Sequence, residues 1–353
     1  MYISTVSTAQ PKNYYDQTAL LKAFEELWAQ THHNIDRVRR LHEAVKVGGR
    51  FLALDMDEYK KIQNFSESND HFIRVGTDLA EEVLRKGLEA SNTDPSELDA
   101  IFFVSVTGIA TPSIDARLVN RLGLRSDIKR IPIFGLGCVA GAAGLGRLYD
   151  YLKAYPDHKA ALVSVELCSL TLQPQDLSIA NLIASGLFGD GASCVIGFGD
   201  NHKPTNGPSA PKVLGSRSRF YPNTEEVMGW KIGHQGFKVI LKASVPQMAE
   251  QYLGNDVAQF LESYGLSHSD IKHWVCHTGG PKVLLAFQKA LSLPDSALTH
   301  SWDSLNTVGN LSSSSVLYVL KKTLAKDNPQ TGDYGILLAM GPGFCCEMVL
   351  FQC

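Results

Sequence analysis

Apolar residues along this chain follow two alternating rhythms. From Phe72 to Ala90, Ile73, Leu79, Val83, Leu84 and Leu88 recur at helical spacing. Asn92 to Pro95 then punctuates the chain. Ala100–Val106 (AIFFVSV) is a continuous apolar run, the signature of a strand buried on both faces, and Ala160–Leu167 and Ala192–Phe198 repeat it. Between these runs the pattern predicts a helix over Ile114–Leu122, a short strand over Arg130–Phe134 and an Ala- and Gly-rich helix over Cys138–Tyr155. Asp200–Pro211 carries three prolines and a glycine and reads as a boundary.

After it the alternation restarts. Val213–Phe220 and Trp230–Phe237 read as extended. Val239–Tyr264 reads as a helix interrupted near Pro246 and Gly254. A strand over His273–Cys276, helices over Pro281–Leu291 and Ser312–Ala325, and closing strands over Tyr334–Met340 and Cys345–Phe351 follow. Two successive mixed blocks, residues 1–205 and 206–353, predict an α/β protein of two similar lobes.

Composition narrows the function classes. With 353 residues, 44% of them hydrophobic, the chain can bury a large core. A net charge of −3 argues against nucleic acid as the main partner, because phosphate binding needs a basic surplus. No apolar stretch approaches the roughly 18 residues of a membrane span, and the first residues do not form a signal peptide. The seven cysteines are odd in number and scattered, with no Cys-x-x-Cys pair, so neither a disulfide framework nor a zinc site is expected. The expectation is a reduced, cytoplasmic protein without a metal.

In such a setting a cysteine in a special context is a candidate nucleophile. In IPIFGLGCVAGAAGLGRL (Ile131–Leu148), a strand runs through Gly135-Leu-Gly137 to Cys138, and a small-residue helix follows. The glycines permit a sharp turn, and unpaired N–H groups at the helix start favour a thiolate. On this segment alone Cys138 reads equally as a buried structural thiol. The glycine spacing does not match a dinucleotide loop. His277 ends a strand before Gly279, Gly280 and Pro281, where α/β proteins place site residues. Asn310 precedes a serine run that opens a helix, and alone it reads as a cap or loop residue. Gly341-Pro342-Gly343 joins two apolar strands. Together, cysteine, histidine and asparagine form a coherent acyl-transfer set, with a nucleophile and two N–H donors for an oxyanion.

GLGCVAG, LFGDGAS, CHTGGPK, VGNLSS and GPGF, in that order and over nearly the whole chain, resemble the chalcone-synthase-like, or type III, polyketide synthases. The resemblance implies a thiolase fold, two related α/β halves in a five-layered α-β-α-β-α core, and a homodimer. It implies a catalytic triad of Cys138, His277 and Asn310. Cys138 would be acylated by an acyl-CoA thioester. His277 and Asn310 would stabilise the enolate left when malonyl-CoA loses carbon dioxide, and that carbanion would condense with the acyl-cysteine. CoA thioesters are then substrates, and no cofactor is required.

Phe188 matches the family's gating phenylalanine, and a second gating position falls on Val239. Val106, Cys168, Thr171 and Ser312 correspond to cavity-lining positions. Thr111 falls where a plant enzyme reaches into its partner's cavity. Met340, Gly341, Pro342 and Gly343 match the loop that shapes cyclisation. Arg37 and Arg40, on one helical face, match basic CoA contacts. A third such contact falls on Ala44, with Lys46 or Arg50 as substitutes, and Gly279 and Gly280 are placed beside the CoA. Small and aliphatic lining residues point toward an aliphatic or fatty starter and an alkylpyrone or alkylresorcinol product. Two alternatives are a ketoacyl-ACP synthase, whose histidine lies in a His-Gln-Ala-Asn motif absent here, and a non-catalytic acyl-CoA-binding protein on the same fold.

Overall fold

A computed structural model describes residues 1–29, 34–202 and 210–353. The expected boundary at 205/206 lies outside the described residues. Nine strands form the main sheet. One run of neighbours is Lys129–Ile133, Ala100–Val104, Lys159–Leu167, Asp190–Phe198 and Tyr2–Ala9. The other is Lys212–Phe220, Cys345–Gln352, Tyr334–Gly341 and Ile271–Cys276. The two runs meet where Tyr2 pairs with Lys212, flanked by the backbone bonds Ile3 N–H to Pro211 O and Val213 N–H to Met1 O. In both, parallel pairs lie at the outer edge and antiparallel pairs toward the join. This repeated plan is the duplication the two mixed blocks predict.

Burial shows why the halves form five layers. Ala100, Phe102, Val104 and Leu162 from one run, and Val275, Leu337, Ala339 and Val349 from the other, enclose two helices, Ala140–Ala154 and Ser315–Lys326. Intervening residues such as Ile101, Phe103 and Val163 face outward onto helix Phe65–Ala90 and helix Ile114–Leu122. Ile336, Leu338, Met348 and Leu350 face helices Val245–Glu262 and Pro281–Ala290. Strands covered on both faces have no polar side, and each buried Leu, Val or Ile contributes about 1.5–3 kcal/mol. The thiolase-fold expectation therefore holds.

Two element assignments need correction. Val239 lies in a hairpin, Met228–Gly233 with Gly236–Leu241, and the following helix begins only at Val245. The apolar run Val239–Leu241 merges with Val245 in sequence, which hides the break. Helix Phe65–Ala90 also starts a turn or more before Phe72, where Asn64 caps it by accepting from Glu67 N.

Candidate active site

The two central helices bring their N-terminal turns together. One turn, Gly137–Val139, precedes helix Ala140–Ala154, and the other, Ser312–Ser314, precedes helix Ser315–Lys326. Gly135 and Gly137 both have positive φ, so the expected sharp turn is present. Space also demands glycine here. A Cβ on Gly137 would sit 2.6 Å from Pro342 Cγ, and one on Gly141 would sit 2.1 Å from the Ser313 carbonyl oxygen. The small residues therefore let Cys138 approach the serine turn.

Cys138 is buried, and its Sγ lies 3.7 Å from Ser312 Oγ. Burial pushes the thiol up to about 12, the Ser312 hydroxyl opposes that rise, and the Glu166 carboxylate adds to it. His277 follows strand Ile271–Cys276, and its backbone N–H donates to Leu338 O at 2.9 Å. Burial brings the imidazole down to about 4. Neither ring nitrogen has a partner among the described residues. Burial thus opposes charge on both side chains, against the helix-start N–H groups that favour a thiolate.

Asn310 is fully buried and held on both backbone sides. Its N–H donates to Leu187 O and its carbonyl accepts from Gly189 N, which ties it to the segment bearing Phe188. Its Oδ1 accepts from Ser312 N at 2.8 Å and from Ser315 Oγ at 3.2 Å, while Nδ2 has no partner among the described residues. Three buried polar atoms on two residues thus lack partners, against the rule for native interiors.

Two cavities adjoin these groups. One, partly open to solvent, contains Cys138, Val106, Cys168, Phe188, Val239, Ser312 and Pro342 in its wall. The other is lined by residues that include His277, Gly279 and Met340. Met228 borders both. Val239 pairs directly with Trp230, and both line the Cys138 cavity. Phe237 is packed away against Phe65 and Trp230. Thr171 instead donates to Cys168 O, and Thr111 is exposed beside Pro112. Gly341 lies against Val139 and Cys138, Gly343 belongs to the hairpin turn, and Gly280 starts helix Pro281–Ala290.

Arg37 and Arg40 are exposed on helix Ile35–Ala44 and make no ion pair among the described residues. Arg50 is a correction. It is buried, and its guanidinium donates to the carbonyls of Ser185 and Gly186 and to Gln17 Oε1, so it offers no surface contact to a phosphate.

Sequence reasoning missed Met228, Trp230, Ile240 and Leu241 in the cavity wall. It also missed Glu166. That carboxylate is fully buried and accepts from Val106 N, Thr107 Oγ1 and Ser313 Oγ. A lone acid inside the apolar run Ala160–Leu167 was its signal. Burial raises Glu166 to about 7. The folded state therefore holds a proton that the unfolded chain releases above its ordinary 4.5, and this contribution to stability falls as pH rises through that window. Relative to the native chain, Glu166→Gln should gain about 3 kcal/mol between pH 4.5 and 8. Denaturant midpoints at those two pH values check this, and a constant difference would refute it.

The chain is similar to known proteins over nearly its whole length. Residues 2–201 match the N-terminal domain, and residues 212–353 the C-terminal domain, of the chalcone and stilbene synthases. A 1,3,6,8-tetrahydroxynaphthalene synthase of Streptomyces peucetius subsp. caesius is 47% identical over 350 residues, covering 99% of this chain and 92% of the relative. An alpha-pyrone synthesis polyketide synthase-like protein of Mycobacterium tuberculosis is 27% identical over 358 residues, covering 99% and 90%. The crystal structure of the 1,3,6,8-tetrahydroxynaphthalene synthase of Streptomyces coelicolor A3(2), a bacterial type III polyketide synthase, superposes with a TM-score of 0.94 at 28% identity, covering 100% of this chain and 99% of that one. With both domains matched in order and the thiolase-fold layers in place, the chain belongs to the chalcone and stilbene synthase family, the type III polyketide synthases, and is a malonyl-CoA-condensing acyltransferase.

Proposed function

We propose that Cys138 carries a growing chain built from malonyl-CoA units on a small starter, and that the chain closes into a hydroxylated aromatic ring of the naphthalene class. The observation that carries the polyketide chemistry is a buried Cys138 in contact with the Ser312–Ser314 turn that Asn310 holds, with Asn310 Nδ2 and both His277 ring nitrogens buried and without partners among the described residues. Loading begins with a neutral thiol. His277 takes the Sγ proton as sulfur attacks the acyl-CoA carbonyl, and CoA leaves as its thiol. A malonyl thioester then places its carbonyl oxygen against the His277 and Asn310 N–H groups. Carbon dioxide departs, and the electron pair it leaves is held as an enolate. The enolate carbon attacks the Cys138 thioester and displaces the thiolate, and the extended chain reloads on Cys138.

The product class rests on one support: the 47% identical relative bears the name of a tetrahydroxynaphthalene synthase. The second reading, a fatty starter and an alkylpyrone or alkylresorcinol product, is favoured by Val239, Val106 and Cys168, whose small side chains leave width beside Phe188. Product mass spectrometry separates the two. Malonyl-CoA alone should yield a coloured polyhydroxyaromatic. Product formed only when a long acyl-CoA is added would instead establish the second reading. Product formed only with malonyl-ACP would move the enzyme toward carrier-protein chemistry.

We also propose a dimer through strand Lys129–Ile133. It is an edge strand paired on one side only, and Phe134 beyond it is 54% exposed. We assign CoA contacts to Arg37 and Arg40, whose exposed cations suit a phosphate, and to Gly279 and Gly280, whose turn follows His277 and suits the thioester arm. No helix among the described residues is long and apolar enough to cross a membrane. A cytoplasmic setting is proposed because seven free, buried cysteines suit a reducing compartment.

A further inference from the structure

We propose that Ser315 is a positioning residue that fixes which end of the Asn310 amide faces the reaction. This rests on the role given to Asn310 above. The argument follows from donor and acceptor roles alone. Ser312 N–H can only donate, so the atom 2.8 Å away must be the amide oxygen. Leu311 N–H also can only donate, and it does so to Ser315 Oγ at 2.7 Å. That fixes Ser315 Oγ as acceptor for Leu311, so its own proton is free to go to Asn310 Oδ1, 3.2 Å away.

Two donors therefore converge on Oδ1, and a flipped amide would point its NH₂ at both of them. Nδ2 is left as the end without a partner among the described residues. Ser315 and Asn310 are both fully buried. Backbone bonds to Leu187 and Gly189 hold the Asn310 main chain, but they do not choose between the two faces of its amide. Ser315, the first residue of helix Ser315–Lys326, contributes to that choice from the scaffold side, without touching substrate.

The test is a double-mutant cycle read by malonyl-CoA decarboxylation. Ser315→Ala should lower kcat about five- to tenfold, the value of one neutral hydrogen bond, with KM unchanged. The rate of Cys138 alkylation should stay at the native value, because Ser315 does not touch the thiol. In an Asn310→Ala background the same Ser315→Ala change should have no further effect on kcat. An unchanged kcat in folded Ser315→Ala, or the same loss with and without Asn310, would overturn the proposal. If Ser315→Ala does not fold, Ser315→Cys takes its place, since its weaker S–H keeps the volume; there kcat should fall about two- to fivefold in the native background only. No change would overturn the proposal equally. Failure of the native protein to decarboxylate malonyl-CoA would instead reject the enolate role of Asn310 itself.

Discussion

Cys138→Ala should abolish chain extension, lowering condensed product by about a thousandfold or more, while malonyl-CoA decarboxylation should continue. The separation follows from the chemistry at each group. Condensation needs a covalent acyl carrier, and alanine has no atom to bear one. Decarboxylation needs only donors for a developing enolate, the role proposed for His277 and Asn310, which the substitution does not touch. The turn should tolerate the change. Cys138 Sγ makes one long contact, 3.7 Å to Ser312 Oγ, and the Gly137–Val139 turn is set by glycine conformation and by the fit against Pro342. Radiolabelled carbon dioxide release and product mass spectrometry on the same sample measure both steps. Chain-extended product persisting in Cys138→Ala would remove Cys138 as the carrier. Loss of both activities with an unchanged melting temperature would mean that the thiol also serves decarboxylation.

Much of this arrangement was legible in the residues, for a physical reason that also marks where legibility stops. Strands covered on both faces admit little but Val, Ile, Leu, Phe and Ala, so Ala100–Val104 and Lys159–Leu167 announce themselves. The site turns announce themselves because backbone approaches there exclude a Cβ, as at Gly137 and Gly141. Trp230–Phe237 read as extended, but the second strand of its hairpin, Gly236–Leu241, was hidden, since Val239 faces a cavity instead of a core and is only partly buried. Strand Tyr2–Ala9 was not read, because its Ser and Thr positions lack the apolar run that marked the others. Arg50 read as a surface cation because its acceptors, the Ser185 and Gly186 carbonyls, lie more than a hundred residues away. The balance of charge at Cys138 and His277 is set by the fold for a related reason. Helix-start N–H groups favour a thiolate, but full burial opposes charge on either partner, and burial is a property of the assembled fold.

Asn310→Asp should be more damaging to decarboxylation than Asn310→Ala, although aspartate is the closer match in shape. Loss of a single oxyanion donor lowers turnover about 10²–10³-fold, and this is the expectation for Asn310→Ala and for His277→Ala. Aspartate keeps an oxygen for Ser312 N–H and Ser315 Oγ–H, so the turn beside Cys138 stays in place. Its second oxygen, where Nδ2 stood, presents an acceptor and a negative charge to an enolate that needs a donor. In a buried site that repulsion is poorly screened. A purely architectural asparagine would give the opposite order, with aspartate rescuing what alanine loses. Carbon dioxide release from malonyl-CoA ranks the variants, while iodoacetamide labelling of Cys138 at fixed pH reports whether the cysteine remains accessible. If labelling falls in parallel with decarboxylation, Asn310 acts by holding the Ser312–Ser314 turn. If labelling is preserved and the order is native, alanine, aspartate, the amide nitrogen is the donor, and the two central helices meet to bring that donor to the thiol.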